Sequence, residues 1–200
     1  MKTDAMRNII QTLKINFKLN EMDALEFYAR EGDWQTQDYY KEVKSLHAWE
    51  IDKIFEENLK RNLPGAHIRI GDSYQFARLE EFQNKFDFIV LDNPQNVFGN
   101  KAEHFEALSL IPNLLKKFKD CILIFNINTS PFNYTSQTEW IKRRNEYYGL
   151  SDTSNISIQY MKNFYKTQLQ NLGLEVKDIF VESRDPKYLH YLVSVIKTRQ

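Results

Sequence analysis

The chain has one cysteine, few glycines, no excess of either charge and no long apolar run, and each scarcity closes a class of explanation. Cys121 has no partner for a disulfide and lies inside an apolar stretch. A disulfide-stapled secreted fold is therefore excluded, and a reducing, cytoplasmic compartment with Cys121 as a small buried hydrophobe is expected. Lys+Arg and Asp+Glu both number 27, so no global field draws the protein to nucleic acid or to an anionic membrane. Nowhere do about 18 apolar residues run together, and Met1-Lys2-Thr3-Asp4 leads into a mixed polar segment; neither a membrane span nor a secretory leader is expected. The histidines His47, His67, His104 and His190 stand at no ligand spacing with cysteines or acids, so no metal site is expected. A phosphate-binding loop ending in Lys-Ser/Thr is missing, and so is a serine nucleophile elbow.

What is present is an alternation of strands and helices over 200 residues, a length that suits one domain, taken as 1–200. Met6, Ile9, Ile10 and Leu13 share one helical face and predict a capping helix within 1–20. Apolar runs bounded by turn residues predict strands over 24–29, 45–51, 67–71, 86–91 and 121–127. Ile51, Ile54, Phe55 and Leu59 mark an amphipathic helix that Asn62-Leu63-Pro64-Gly65 ends, so the strands flanking it pair in parallel through a right-handed crossover. Phe105, Leu108, Ile111, Leu115 and Phe118 form a second stripe, in which Pro112 implies a kink or a late start. The stretch 128–155 has no clear period and reads as a substrate lid. Ile158, Met161, Tyr165, Leu169 and Leu172 make a last helix closed by Gly173. Two final strands, 174–182 and 188–196, are joined by too few residues for a parallel crossover and must run antiparallel.

Acidic and turn residues recur at the strand ends: Glu26, Gly32, Glu50, Asp72 and then Asp92-Asn93-Pro94. In a doubly wound sheet ligands bind outside the carboxyl ends of the strands, so this succession converges on one crevice and suggests a nucleoside cofactor. Glu50 follows Glu26 at roughly the 20-residue spacing of an acid that accepts from both ribose hydroxyls, although a Glu opening the next helix would look the same. Glu31-Gly32-Asp33 is a cofactor-facing turn or a plain surface turn, and Asp72 a ligand acceptor, a cap for the helix starting near Ser73, or both.

On Glu26-Phe27-Tyr28-Ala29-Arg30-Glu31-Gly32 and Asp92-Asn93-Pro94-Gln95, over about 22–198, the chain resembles the class I S-adenosylmethionine-dependent methyltransferases. Within them it is closest to small nucleic-acid-type enzymes with an Asp-Pro-Pro-aromatic motif. The resemblance implies an α/β fold: a doubly wound, mostly parallel seven-stranded sheet, Rossmann-like, with an antiparallel last strand. It also implies S-adenosylmethionine bound along Glu26, Tyr28, Ala29, Gly32 and Trp34, then Glu50 and Ile51, Asp72 and Ser73, and Asp92. Asp72 would accept from the adenine amino group, and Asp92 would face the sulfonium. For a nitrogen acceptor, a side-chain oxygen of Asp92 or Asn93 and the carbonyl of Pro94 would draw the amino hydrogens so that the lone pair meets the methyl.

A nucleic-acid base is the acceptor expected, flipped out if it lies in a duplex. Lys142-Arg143-Arg144 beside Trp140 and Tyr147-Tyr148 interleaves cations with aromatics as single-strand grooves do, although an amphipathic surface helix would look the same. The neutral charge also makes a protein partner subunit or a small acceptor an expectation. Arg30 and Gln35 in place of glycines, and Gln95 in place of the aromatic, motivate the alternative of a degenerate binding or scaffold subunit. A nicotinamide oxidoreductase ranks last, because the glycines needed beside a pyrophosphate are missing.

Overall fold

The computed structural model describes residues 4–92, 107–131, 138–185 and 188–198. Its strands are β1 (Asp23–Phe27), β2 (Ser45–Glu50), β3 (His67–Ile70), β4 (Phe88–Leu91), β5 (Asp120–Asn128), β6 (Leu174–Ser183) and β7 (Leu189–Thr198). Its helices are α1 (Ala5–Leu13), α2 (Glu56–Asn62), α3 (Ser73–Phe76), α4 (Ile111–Leu114), α5 (Thr138–Tyr148) and α6 (Ile158–Asn171). The strands form one seven-stranded sheet in the order β3-β2-β1-β4-β5-β7-β6. All neighbours from β3 to β5 pair in parallel, and β7 is antiparallel to both β5 and β6. This is the α/β, mostly parallel architecture expected from the sequence.

Both faces of the sheet are covered, which is why the central strands read as continuous apolar runs rather than alternating ones. Successive side chains point to opposite faces. Leu25, Phe27, Ile89, Leu91, Leu123 and Phe125 join Tyr165 and Leu169 of α6 on one face, whereas Ala24, Phe88, Val90, Ile122 and Ile124 join Met6, Ile9 and Leu13 of α1 on the other. Asp23, Lys116 and Asp87 pin the N-terminal ends of β1 and β4: the Lys116 ammonium donates to Asp23 at 2.6 Å and to Asp87 at 2.9 Å.

Four expectations are corrected. β1 stops at Phe27 because Tyr28 turns into the left-handed region, φ 61°. The helix expected from Ile51 is a single 3-10 turn, Lys53–Phe55, followed by α2, and Ile51 and Ile54 lie on the surface. The stripe around Pro112 is a late, short helix: Pro112 sits in the first turn of α4, where its missing N–H costs nothing, Leu115 ends it, and Phe118 is exposed. Phe105 lies outside the described residues. Finally, 128–155 contains α5, whose period is hidden because the inward positions include Arg144, fully buried together with Tyr148 one turn on.

Candidate active-site crevice

The strand order reverses between β1 and β4, and such a switch opens a crevice at the carboxyl ends of the strands. Phe27 is in register with Leu91, so Tyr28 and Asp92 follow side by side across this switch.

The loop after β1 alternates into the left-handed region at Tyr28 (φ 61°), Arg30 (φ 48°) and Gly32 (φ 63°). It keeps a backbone suited to glycine while carrying side chains at two of the three positions, at a cost on the order of 1 kcal/mol each. Those side chains are anchored: the Tyr28 hydroxyl donates to that of Tyr74 at 2.9 Å, and the Arg30 guanidinium lies over the Phe55 ring at 5.6 Å. Gly32 has a reason internal to the fold. A Cβ there would stand 2.7 Å from Leu63 Cδ1 and 3.1 Å from Leu59 Cδ2. Ala29 is buried, and its N–H donates to the Trp49 carbonyl at 3.0 Å.

Glu50 ends β2 and is only 4% exposed. Its Oε2 accepts from the Arg30 N–H at 2.7 Å and its Oε1 from the Asp52 N–H at 2.9 Å, so it braces the loop after β1 against the one after β2. Ile51, next to Glu50 in the chain, is 68% exposed, Ile54 73%, and Trp34 in the loop after β1 47%. After β3, Asp72 caps α3 by accepting from the Tyr74 N–H at 2.8 Å, and Ser73 beside it is buried.

Asp92 ends β4 inside a polar cluster. Its Oδ1 accepts from Arg184 at 2.5 Å and from the Asn126 amide at 2.6 Å, and its Oδ2 accepts from the Tyr191 hydroxyl at 3.2 Å. Glu26, on the other side of the switch, is buried. Its Oε1 accepts from the Thr36 hydroxyl at 2.9 Å, and the buried Tyr39 phenol lies against the same carboxyl. Burial, with the charge of Asp92 behind it, pushes the Glu26 carboxyl up to about 8. Burial and Glu26 likewise raise the Tyr39 phenol well above its ordinary value. The Tyr39 phenol hydrogen-bonds the Glu26 carboxyl, and Gln35 Nε2, nearby in the chain and buried, finds no partner among the described residues. In a folded protein such groups ordinarily meet water or ligand.

The structure therefore brings Glu26 and Asp92 together at the switch and joins Glu50 to the Arg30 loop. It sets Ile51 and Trp34 in the open and links Tyr28 to the Asp72-Ser73-Tyr74 turn. Asn93, Pro94 and Gln95 lie outside the described residues. Sequence reasoning missed Arg184, Asn126, Tyr191, Thr36 and Tyr39. The signal for Asn126 was available: an amide following the apolar run Cys121 to Phe125 of a buried strand is informative in a way that an exposed polar residue is not. Arg184 read only as part of a hairpin turn.

The cation and aromatic cluster near α5 is rearranged. Arg144 is fully buried, donating to the carbonyls of Asn128 (2.5 Å) and Thr153 (3.3 Å) with its guanidinium 4.9 Å from the Tyr148 ring, so it is part of the core and not of a nucleic-acid surface. Among the described residues, no helix is long and apolar enough to cross a membrane, and no group of three or more His, Cys, Asp or Glu could hold a metal ion.

No family model and no curated protein matches this sequence. Solved structures do match its shape. A S-adenosylmethionine-dependent methyltransferase from Methanosarcina mazei superposes with a TM-score of 0.60 at 12% identity, over 94% of this chain and 98% of that one. Magnesium protoporphyrin IX methyltransferase from Synechocystis, with S-adenosylhomocysteine bound, gives 0.56 at 11%, over 95% and 81%. A Bacillus halodurans protein assigned as a methyltransferase gives 0.61 at 12%, over 96% and 99%. At these identities the likeness shows the class I methyltransferase fold.

Proposed function

We propose that the chain binds S-adenosylmethionine along the carboxyl ends of β1 to β4 and transfers its methyl group to a nitrogen acceptor, with a nucleic-acid base as the leading class. The observation that carries the reading is Ile51. A large aliphatic side chain 68% exposed directly after the buried Glu50, beside the switch point of this sheet, is a ready face for an adenine ring. Ile54 and Trp34 are likewise exposed, at 73% and 47%.

The residues present fit such a cofactor. Each Glu50 oxygen accepts one backbone N–H among the described residues and keeps a lone pair for a ribose hydroxyl. Ser73 and Asp72 stand at the next strand end. The buried Gln35 Nε2, without a partner among the described residues, suits the polar end of an amino-acid moiety. When bound, the cofactor supplies an electrophilic methyl on a sulfonium. The protein's own part is to hold the acceptor in line and exclude water. Asp92 Oδ2 accepts only from Tyr191 among the described residues and retains a lone pair for an amino hydrogen. With Arg144 buried, nucleic acid would have to be met by the remaining cations of α5, among them the exposed Lys142, or by a partner subunit.

A second reading is favoured by the same Asp92, whose carboxylate is already engaged by Arg184, Asn126 and Tyr191: a binding or scaffold subunit that holds the cofactor without methylating. Calorimetric titration with S-adenosylmethionine and S-adenosylhomocysteine, alongside Ile51→Asp, tests the binding common to both. Micromolar affinity that weakens about tenfold in the variant, about 1.4 kcal/mol, with unchanged thermal unfolding is expected. Absence of binding to the folded wild type would overturn it. A methyl-transfer screen over free bases and single-stranded nucleic acid then separates enzyme from scaffold.

A further inference from the structure

We propose, resting on that cofactor reading, that Arg184 sets how strongly the crevice distinguishes a cationic sulfonium from a neutral thioether, by supplying internally the positive charge that Asp92 would otherwise seek in its ligand.

Arg184 belongs to the turn between β6 and β7, at the far side of the sheet from β4. Its own N–H and that of Asp185 both donate to the Leu189 carbonyl, at 3.0 and 2.7 Å, which fixes the turn. From this turn the guanidinium meets groups carried by β7, β5 and the end of β4: Tyr191, Asn126 and Asp92.

Its destination is built to receive it. One guanidinium nitrogen donates to Asp92 Oδ1 at 2.5 Å and to Asn126 Oδ1 at 3.2 Å, the other meets Gln35 Oε1 at 3.5 Å, and the planar group lies 5.3 Å from the centroid of the Tyr191 ring. Both charged side chains are largely out of water, 11% exposed for Arg184 and 12% for Asp92, so the pair is weakly screened. Glu26 across the switch holds its proton near neutrality because it is buried. At the end of β4 the Asp92 carboxylate therefore faces the Arg184 guanidinium as a pair of opposite charges that offset each other.

A cationic ligand entering a balanced crevice gains little over a neutral one of the same shape. Removing the guanidinium leaves Asp92 facing the ligand alone, and the sulfonium then becomes its counter-ion. Removing the carboxylate charge instead leaves Arg184 repelling a sulfonium. A purely structural role for Arg184 would weaken both ligands together and leave their ratio alone.

The test is the ratio of the dissociation constants for S-adenosylhomocysteine and S-adenosylmethionine, measured by calorimetry on the full chain. Arg184→Gln is expected to raise this ratio at least tenfold, Asp92→Asn to lower it at least tenfold, and the double variant Asp92→Asn with Arg184→Gln to return it to within about threefold of wild type. If Arg184→Gln does not fold, Asp92→Asn and the double variant still decide the matter. Ratios unchanged across variants that bind both ligands would overturn the role of Arg184 and leave the cofactor reading standing. Failure of the wild type to bind either ligand would remove both.

Discussion

Glu26 and Thr36 meet in the core: the Thr36 hydroxyl donates to Glu26 Oε1 at 2.9 Å, and the carboxyl around that bond is shut away from solvent. Asp92 at the end of β4, Glu50 at the end of β2, Tyr39 in the loop after β1 and Tyr191 on β7 all act on this group electrostatically. Its pKa is 4.5 unperturbed and about 8 in the fold. Between those values the folded chain keeps a proton that the unfolded chain has released. The stability this provides is complete below about pH 4.5 and is lost as pH rises through about 8. Glu26→Gln should therefore remove a decline on the order of 1 kcal/mol per pH unit between about pH 5 and 8. Urea unfolding at three pH values reads this directly; parallel pH profiles for variant and wild type would contradict it.

At Gly32 the demand is steric as well as conformational, since a Cβ would collide with Leu63 at 2.7 Å in a residue already at φ 63°. Gly32→Ala should cost about 2–4 kcal/mol, from overpacking added to left-handed strain. Gly65→Ala is the comparison. Its Cβ would meet nothing within 4 Å, so only the strain, about 1–2 kcal/mol, should appear. Equal losses at the two sites in chemical denaturation would show that the contact with Leu63 is immaterial.

Arg144 clamps α5 to the end of β5 through the Asn128 carbonyl and to the following loop through the Thr153 carbonyl. Arg144→Met keeps the apolar stem and removes both donors, which should destabilise by about 2–4 kcal/mol. Hydrogen exchange should quicken in Thr138–Tyr148 far more than in β1 or β4. Uniform acceleration across the sheet would mean that Arg144 supports the whole core rather than this segment.

Acid should act at the opposite end of the sheet. Burial alone would raise the Asp23 carboxyl, but hydrogen bonds from Lys116, Ser45 and Lys44 outweigh it and hold the group well below the usual carboxylate range. Its contribution is present above about pH 4 and is lost as pH falls toward the depressed folded value. Lys116→Met should lower stability at pH 7 by about 3 kcal/mol, because Asp87 is left buried without its cation. The same variant should show a flatter fall on acidification than wild type. A parallel fall would count against Lys116 as the source.

The sheet was legible because its signals are local. Phe88–Leu91 and Asp120–Asn128 are apolar runs closed by polar residues, and the short link between β6 and β7 forces them antiparallel. The succession of polar strand ends was legible for the same reason: Glu50 ends β2, Asp72 and Asp92 follow β3 and β4, and Glu26 lies one residue inside the end of β1. What those side chains do was not legible. The partners of Glu50 are backbone N–H groups, which every non-proline residue carries, and the partner of Asp92 lies 92 positions away. For α5 the sequence offered only a surface helix as an alternative, because a buried arginine satisfied by carbonyls looks, in a sequence, like a solvent-facing charge. Ile51 and Ile54 misled in the opposite sense, since apolar residues at helical spacing read as core whether or not anything covers them.

The seating of β7 between β5 and β6 also dictates an order of assembly. Among the described strands β6 pairs only with β7, so it cannot enter the sheet until a segment later in the chain has been threaded alongside β5. The parallel half, β1 to β5, can form while the turn bearing Arg184 is still loose. Until that turn docks, the Asp92 carboxylate at the end of the central β4 has no guanidinium to meet it. Docking of the last hairpin completes the sheet and neutralises that charge in one event.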